Sequence, residues 1–249
     1  MSARLRPSDV LMLPSPPLRR RAILCFALLT LATLQLGVVL ARAIDASEVY
    51  PLKVTLLFGL AAVIAIGWIA GHHPFDRFGP ANGVTGIRLA MTSLTAGLIG
   101  EPPTQTIATA AAWLALLATL LDGVDGWLAR RTRLASAFGA RFDMETDALL
   151  ILALAIIAWQ HGKAGAWIVL AGAMRYLFVA AGYVWSWMNA PLPPSTRRKA
   201  VCVVQLVGLG LVVSPLLAAP ASVVAAAITL AALTWSFGVD VLWLRHHEA

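Results

Sequence analysis

The chain has 249 residues, of which 59% are hydrophobic and only 12% are charged, and its mean hydropathy is +0.80. An ordinary soluble domain carries about twice that share of charged residues, and a water-soluble fold of this length cannot bury so much apolar surface. The composition therefore excludes a small secreted protein, a disordered segment and a soluble nucleic-acid-binding domain. It indicates a multi-spanning membrane protein.

Eight apolar stretches are predicted to be transmembrane helices, because a bilayer core about 30 Å thick needs about 20 apolar residues. They cover residues 22–41, 52–71, 86–100 (which is short), 107–121, 142–159 and 164–187, a seventh stretch that begins near Lys199 and breaks at Pro215, and an eighth that ends near Trp243. Only helices and closed barrels span lipid, and these runs are too long and unalternating for barrel strands. We therefore predict an all-α integral membrane protein, a polytopic bundle of about eight transmembrane helices.

The basic residues fall mainly in alternate loops, and the opposite set of loops carries only Arg42, Lys53 and Lys163. Because Lys and Arg accumulate in cytoplasmic loops, this asymmetry predicts that both termini and residues 122–141 face the cytoplasm. The net charge of +7 is explained by this topology and by contact with anionic lipid headgroups. We therefore expect a multi-pass protein of the inner cell membrane and no nucleic-acid partner.

The amino-terminal region resembles a signal peptide, with three arginines at residues 19–21, an apolar run and the small residues around Arg42. The run is longer than the usual signal core of about 7–15 residues, so an uncleaved span is predicted. Residues 1–21 are then a basic cytoplasmic tail, and residues 246–249 form a carboxy-terminal tail. Cys25 and Cys202 lie in apolar runs and are interpreted as small core residues without a disulfide.

Four aspartates fall within 26 residues, at the end of the fourth predicted span and the start of the fifth: Asp122, Asp125, Asp143 and Asp147. Spacings of three and four residues place each pair on one helix face. A short basic connection joins the two helices, so we expect antiparallel neighbours whose four carboxylates converge. Carboxylates at membrane depth are costly, and such a group is a functional-site hypothesis by default.

Converging carboxylates need a positive charge between them, and oxygen-only ligands near the cytoplasmic surface favour Mg²⁺ or Mn²⁺. With this many carboxylates, two ions can form a clamp for a phosphoryl-type displacement. Nearby arginines, such as Arg130 and Arg141, are suited to an anionic substrate. Gly126 and Gly139 would let a bulky ligand approach the backbone. The residues therefore indicate metal-assisted transfer involving a phosphate ester at the lipid–water boundary.

Residues 122–147 read D-x2-D-G-x2-A-R-x8-G-x3-D-x3-D, which resembles the signature of the CDP-alcohol phosphatidyltransferases at every fixed position. Asn82-x2-Thr85-x2-Arg88 resembles the segment that precedes the first core helix of that family. Lys199-x2-Cys202-x2-Gln205 resembles its K-x2-T-x2-Q segment, with a cysteine where threonine is usual. The resemblance implies a six-helix core over residues 72–245 and makes the helix pair of residues 22–71 an addition.

The resemblance implies an enzyme of phospholipid biosynthesis that joins CDP-diacylglycerol, or another CDP-alcohol, to an alcohol through a phosphodiester and releases CMP. Asp122, Asp125 and Asp143 would hold two Mg²⁺ or Mn²⁺ ions with help from Asp147, which would also be the general base. A further set of residues would contact the nucleotide: Gly126, Ala129, Arg130, Gly139, Asn82, Thr85 and Arg88. Arg130 would lie near the phosphates or brace the acidic cluster.

Four basic residues are weaker candidates for holding the acceptor: Arg141, Arg175, Arg198 and Lys199. The topology explains most of them equally well, although Arg175 lies mid-span and could bind an acceptor phosphate or neutralise a buried aspartate. The acceptor could be glycerol 3-phosphate, inositol phosphate, serine or another alcohol, and the arginines favour a phosphorylated one. The CDP-activated partner could instead be the small alcohol, with the lipid as acceptor.

Glu145 and Asp240 are each expected to pair with an arginine. Members of the resembling family are usually homodimers, so a second copy of the chain is an expected partner. A divalent-cation transporter or channel and a catalytically inactive scaffold of the same fold are the alternatives.

Overall fold

The computed structural model describes residues 15–70 and 72–246, which form eight α-helices and two short 3₁₀ turns and contain no β-strand. The helices are α1 (Pro16–Ile44), α2 (Tyr50–Ile69), α3 (Pro80–Gly97), α4 (Gln105–Thr132), α5 (Ala137–Gln160), α6 (Val169–Val184), α7 (Thr196–Val213) and α8 (Ala221–His246), with 3₁₀ turns at Ala166–Ile168 and Ser186–Asn189. The predicted all-α class is confirmed. Most of the predicted amino-terminal tail and the last three residues lie outside the described residues.

Five segments of the described chain are long and apolar enough to cross a membrane: α1, α2, α4, Ala166–Val184 and α8. The remaining helices α3, α5 and α7 carry charged side chains within or at the start of the helix, such as Arg88 in α3 and Asp143 in α5. These charges lower the apolar character of the three helices. A multi-pass membrane protein is therefore supported, and the count of eight spans stays a prediction.

The helices extend beyond the predicted spans at their charged ends. The helix α1 begins at Pro16, six residues before the predicted span, because proline is tolerated in a first turn. The helix α4 continues from the predicted end at residue 121 to Thr132, so that Asp122 and Asp125 lie inside it. Only residues 133–136 connect α4 to α5, and Arg133 adopts a positive φ of 57° there.

The chain divides into two compact units, the first of which comprises the described residues up to Gly97 together with Leu120–Thr146. In this unit the added helix pair packs closely on α3. The buried Tyr50 hydroxyl donates a hydrogen bond to the Leu94 carbonyl oxygen at 2.8 Å. A Cβ built on Gly97 would lie 2.4 Å from Val54 Cγ2, and one on Gly86 would lie 2.7 Å from Leu29 Cδ1. At Gly97 the Tyr50 ring would also be only 3.0 Å away, so glycine is needed there, whereas the end of the flexible Leu29 side chain could move away from a Cβ on Gly86.

An aromatic cluster joins α1, the segment before α3 and the start of α5 within the first unit. The Phe26 ring of α1 lies 5.6 Å from the Phe78 ring and 5.8 Å from the Phe142 ring in edge-on arrangements. Phe138 stacks on Phe142 at 5.6 Å, and both residues belong to α5. Because Phe142 directly precedes Asp143, α1 packs against the helix turn that carries a predicted metal ligand.

The second unit comprises Leu98–Thr119 and the described residues from Asp147 onward. Its helices also approach closely: a Cβ on Gly172 in α6 would lie 2.3 Å from the Leu152 backbone in α5. The Lys163 ammonium donates hydrogen bonds to the carbonyl oxygens of Ser214 and Leu217, which ties the loop after α5 to the end of α7. The pKa of His161 in the same loop is lowered, first by burial and second by the positive charge of Lys163.

Candidate metal centre

A single arginine lies at the centre of the predicted carboxylate group. The Arg88 side chain is 1% exposed, and its guanidinium contacts three aspartates of the motif. Nη2 lies 2.8 Å from Asp122 Oδ1, Nη1 lies 2.6 Å from Asp125 Oδ2, and Nη1 also pairs with Asp143 Oδ1. The predicted convergence of α4 and α5 is therefore confirmed for these three carboxylates, which meet around a cation supplied by α3.

The polar face of α3 presents this arginine together with two other residues of its motif. Asn82, Thr85 and Arg88 are spaced three residues apart, so their side chains lie on one helix face, and all three are buried. The Thr85 hydroxyl donates to Asp125 Oδ2 at 3.0 Å, beside the bond from Arg88. Asp125 is only 5% exposed, so both donors compensate a carboxylate that is largely removed from water.

The amino-terminal end of α5 packs against the same face of α3. A Cβ on Gly139 would lie 2.9 Å from Asn82 Oδ1, so the missing side chain makes room for the buried asparagine. The Gly139 amide also donates to the Ser136 hydroxyl at 3.1 Å, which caps the first turn of α5. Gly139 was predicted to lie against the nucleotide, and here it contacts Asn82, another residue predicted to bind the nucleotide.

The more exposed carboxylates of the cluster belong to a candidate metal group. Asp122 and Asp143 offer oxygen atoms within 4.8 Å of one another, and their side chains are 28% and 38% exposed. Asp147 follows Asp143 by four residues, or one turn, in α5. It therefore adds a further carboxylate on the same face of this helix. These acidic residues form a group that could hold a metal ion.

The charges and donor atoms fit a divalent cation. The three carboxylates around Arg88 carry three formal negative charges when ionised, and the guanidinium supplies one positive charge, so the group remains anionic. All the donors are carboxylate oxygens, which Mg²⁺ and Mn²⁺ prefer, and no histidine or cysteine joins the candidate metal group among the described residues. The residues therefore suit the predicted type of metal.

Cys202 has a polar contact that the sequence did not predict. Its thiol lies 3.4 Å from Asp147 Oδ2 and donates a hydrogen bond to this carboxylate. Cys202 was interpreted as a small core residue, but the structure places it beside the predicted general base. The signal was its place in the K-x2-C-x2-Q segment, where the resembling family has threonine, another residue whose side chain can donate a hydrogen bond. Neither Cys25 nor Cys202 forms a disulfide among the described residues.

The predicted acceptor-binding residue Arg141 contacts Glu145 of α5 and Trp68 of α2. Its Nε lies 3.9 Å from Glu145 Oε1 one turn along α5, so the predicted pairing of Glu145 with an arginine is confirmed. The guanidinium carbon also lies 3.2 Å from the centre of the Trp68 ring of α2, a close cation–π contact. The added helix pair thus holds the side chain of Arg141.

A second group of predicted residues lies at the start of α7. Arg197 Nη2 and Arg198 Nη1 lie 2.5 and 3.0 Å from Asp240 Oδ1 in α8, so the predicted pairing of Asp240 is confirmed. Arg198 also donates to the Pro193 carbonyl oxygen, whereas Lys199 is exposed. Arg175 is half-buried in the span Ala166–Val184.

Arg130 does not brace the acidic cluster, because it forms no ion pair with a carboxylate among residues 15–70 and 72–246. Its guanidinium would lie 3.4 Å from a Cβ on Gly126, one turn earlier on the exposed side of α4. Ala129 lies beside it and is partly exposed. Arg88 is the arginine that pairs with the aspartates of the cluster, a role that the sequence also allowed for Arg130.

The family model of the CDP-alcohol phosphatidyltransferases matches residues 78–238, which is more than half of the chain. The chain belongs to this family. No curated protein and no solved structure matches it.

The matched region contains the complete carboxylate group. It begins just before α3 and ends within α8, so it includes Arg88 and all four aspartates of the motif. The family is a transferase family that acts on CDP-alcohols, and an acidic cluster such as this one could hold the divalent metal that such transfer uses. The helices α1 and α2 precede the matched residues.

Proposed function

We propose that the protein is a phosphatidyltransferase of phospholipid biosynthesis that transfers the phosphatidyl group of CDP-diacylglycerol to a small alcohol and releases CMP. The observation that carries the proposal is the meeting of Asp122, Asp125 and Asp143 around Arg88, within the complete family signature. The apolar helices support a reaction at a membrane, where a lipid substrate can enter from the side. The excess of basic residues in alternate loops supports a site that faces the cytoplasm at the inner cell membrane.

The reaction needs an electrophilic phosphorus, a deprotonated alcohol and a stabilised leaving group. The hydroxyl oxygen of the acceptor attacks the phosphorus that bears diacylglycerol, the bond from this phosphorus to the CMP oxygen breaks, and CMP leaves with the electron pair. The hydroxyl proton passes to Asp147, which acts as the general base. The thiol of Cys202 donates to Asp147 Oδ2 and so holds the carboxylate in one orientation.

Asp122, Asp125, Asp143 and Asp147 would hold two divalent ions, Mg²⁺ or Mn²⁺. Bound there, the ions would neutralise negative charge on the diphosphate. Arg88 has a separate role, because it fixes the relative positions of α3, α4 and α5 through three carboxylates. Thr85 supports this by fixing Asp125, so the two residues act on the nucleotide site through the aspartates.

The exposed side of α4 is proposed to receive the nucleotide. Gly126, Ala129 and Arg130 lie there, and the guanidinium of Arg130 is available for a phosphate because it has no carboxylate partner within the described chain. Asn82 and Gly139 shape the adjoining wall by packing against each other.

The acceptor is proposed to be a phosphorylated alcohol such as glycerol 3-phosphate or inositol phosphate. Arg141, Arg175, Arg198 and Lys199 supply positive charge for it, and Asp240 and Trp68 hold two of these side chains in fixed positions. These basic side chains favour a phosphorylated acceptor over an alcohol without a phosphate, such as serine.

The proposal is tested by incubating the purified protein with CDP-diacylglycerol, Mn²⁺ or Mg²⁺, and a panel of alcohols, and measuring CMP. The expected result is CMP release that depends on the metal and on one alcohol of the panel. The Asp143→Asn variant should lose this activity, and Asp76→Asn, which removes an exposed carboxylate outside the cluster, should retain it. No CMP with any alcohol would refute the enzyme, and metal-ion flux into vesicles without CMP release would identify a transporter.

A further inference from the structure

A basic cavity of about 560 Å³ opens in the first unit beside the added helix pair. Arg21 from the second turn of α1 and Arg77 from the segment before α3 line it. Phe78, Pro80 and Leu134 form the apolar part of its wall. The cavity therefore combines two guanidinium groups with an apolar surface.

The two arginines share features that point to an anionic ligand. They are separated by 56 residues in the chain and still line the same cavity. A general excess of basic residues in cytoplasmic loops would not by itself bring two arginines to one cavity. Both side chains are exposed, and neither forms an ion pair with a carboxylate among the described residues. Each guanidinium can therefore donate to the oxygens of a phosphate, for which its planar geometry is suited.

The cavity is separate from the carboxylate group. None of its lining residues is one of the four aspartates or Arg88. Pro80 precedes Arg88 by eight residues on α3, which is about 12 Å along a helix axis. On α4, Thr132 lies in the cavity wall seven residues after Asp125, about 10 Å along the axis.

The surface next to the cavity is suited to acyl chains. Leu24 and Leu28 follow Arg21 by three and seven residues, so they lie on the same side of α1, and they are 51% and 67% exposed. The helix α1 is a candidate membrane span. A ligand whose phosphate contacts Arg21 can therefore extend its chains along Leu24 and Leu28 into the bilayer.

We propose that this cavity binds the headgroup phosphate of an anionic phospholipid, at a second site that is distinct from the site of transfer. Arg21 and Arg77 bind the phosphate, Phe78 and Leu134 contact the glycerol region, and the exposed leucines of α1 contact an acyl chain. The added helix pair thereby contributes one of the two phosphate-binding arginines. This site does not depend on the proposed reaction.

Native mass spectrometry of the full-length protein in a non-ionic detergent tests the proposal, with dioleoyl phosphatidylglycerol as the anionic probe and dioleoyl phosphatidylcholine as the zwitterionic one. We expect preferential retention of phosphatidylglycerol by the wild type. The Arg21→Gln/Arg77→Gln variant should bind it on the order of tenfold or more weakly, since two charge-assisted contacts are lost. The Arg21→Lys/Arg77→Lys variant, which keeps the charge, should retain most of the binding and shows that the fold survives substitution.

The matched control is Arg20→Gln/Arg245→Gln, which removes the same charge from two exposed arginines outside the cavity. It should bind phosphatidylglycerol as the wild type does. An equal loss in the control, or no loss in the cavity variant, would overturn the proposal. Inorganic phosphate and cytidine diphosphate are added as competitors: displacement of the lipid by millimolar phosphate would assign the cavity to soluble phosphates, and displacement by cytidine diphosphate would make it part of the nucleotide site.

Discussion

A buried arginine among carboxylates is stable only if each partner stays in place. Arg88 is 1% exposed and contacts Asp122, Asp125 and Asp143, so its charge is compensated entirely by fixed protein groups. Removing Arg88 or Asp125, the two buried members of the group, leaves a charged partner uncompensated where little water reaches it, which is strongly destabilising. Asp125, which is only 5% exposed, is therefore expected to support the fold of the first unit as well as any metal that the group holds.

Replacing Arg88 by glutamine tests this dual dependence. The Arg88→Gln variant should be destabilised by about 3–5 kcal/mol, because three carboxylates lose their buried counter-charge, and it should release no CMP. Arg88→Lys keeps one charge but not the planar fork, so it should be intermediate in thermal stability. Thermal unfolding in detergent measures both variants, and an Arg88→Gln variant that unfolds at the wild-type temperature would contradict the role given to Arg88.

The contact between Gly139 and Asn82 gives a second prediction for a single residue. A Cβ at Gly139 would approach the buried Asn82 side chain to 2.9 Å, so Gly139→Ala should destabilise the protein by about 1–3 kcal/mol through overpacking. Gly123 in α4 has nothing within 4 Å of its would-be Cβ, and Gly123→Ala is the matched control, expected to be neutral or slightly stabilising. Equal melting temperatures for the two variants would show that Gly139 has no packing role.

Among the helices, the added pair α1 and α2 packs closely against helices of the matched region. Gly97 and Gly86 let α3 approach α2 and α1, and the Phe26 ring of α1 reaches Phe142 of α5. The Trp68 ring of α2 holds the guanidinium of Arg141. The pair therefore supports the helix turn before Asp143 and a candidate acceptor-binding residue, although it precedes the family match.

A pair of glycine substitutions separates packing of this helix pair from general effects on α2 and α3. Gly97→Ala should lower the melting temperature, because its Cβ would lie 2.4 Å from Val54 Cγ2 and 3.0 Å from the Tyr50 ring. Gly59→Ala in α2 meets nothing within 4 Å and should melt close to the wild type. CMP release should fall with Gly97→Ala if the helix pair supports the site, and unchanged stability and activity would show that it does not.

The sequence predicts the helices and the convergence of the aspartates. It does not predict where α4 ends or which distant residues contact the aspartates. Apolar runs identify every α-helix of the described residues, but such runs end where charged residues begin. The charged residues after Leu121 are helical as well, so the predicted span stops short of the end of α4 at Thr132. The spacing of the aspartates predicts their convergence, whereas the counter-charge from Arg88 depends on contacts between α3, α4 and α5 that no local pattern encodes. The bond from Cys202 to Asp147 is likewise a contact between residues 55 apart in the chain.

At the scale of the whole molecule, the sequence predicts two alternate sets of loops that differ in their content of basic residues. The loop after α5 contains Lys163, whose ammonium holds the end of α7 through the carbonyl oxygens of Ser214 and Leu217. Lys163, one of the few basic residues in this predicted set of loops, therefore forms hydrogen bonds within the protein. This loop also contains His161, whose Nε2 is buried without a hydrogen-bond partner among the described residues.

The lowered pKa of His161 predicts a dependence of stability on pH. Burial and Lys163 make the folded-state pKa lower than the unfolded value of about 6.5, so the unfolded state binds the proton more readily. Stability should therefore be complete above the unfolded pKa and should fall as the pH drops below it towards the folded pKa. Melting curves in detergent between pH 5 and 8 should show this loss, and His161→Gln should reduce it. The exposed His72→Gln substitution should leave the loss caused by His161 in place, and an undiminished loss in His161→Gln would contradict the assignment.

The carboxylate group is central to the function proposed for this membrane protein, and its affinity for a divalent ion can be measured without substrate. Electron paramagnetic resonance of free Mn²⁺ reports how much of the ion the purified protein binds. The wild type and the Asp76→Asn control should bind Mn²⁺, and the Asp122→Asn/Asp143→Asn variant should lose this binding, with the Arg21→Gln/Arg77→Gln variant behaving as the wild type. Equal Mn²⁺ binding by the wild type and the Asp122→Asn/Asp143→Asn variant would contradict a metal site at these aspartates.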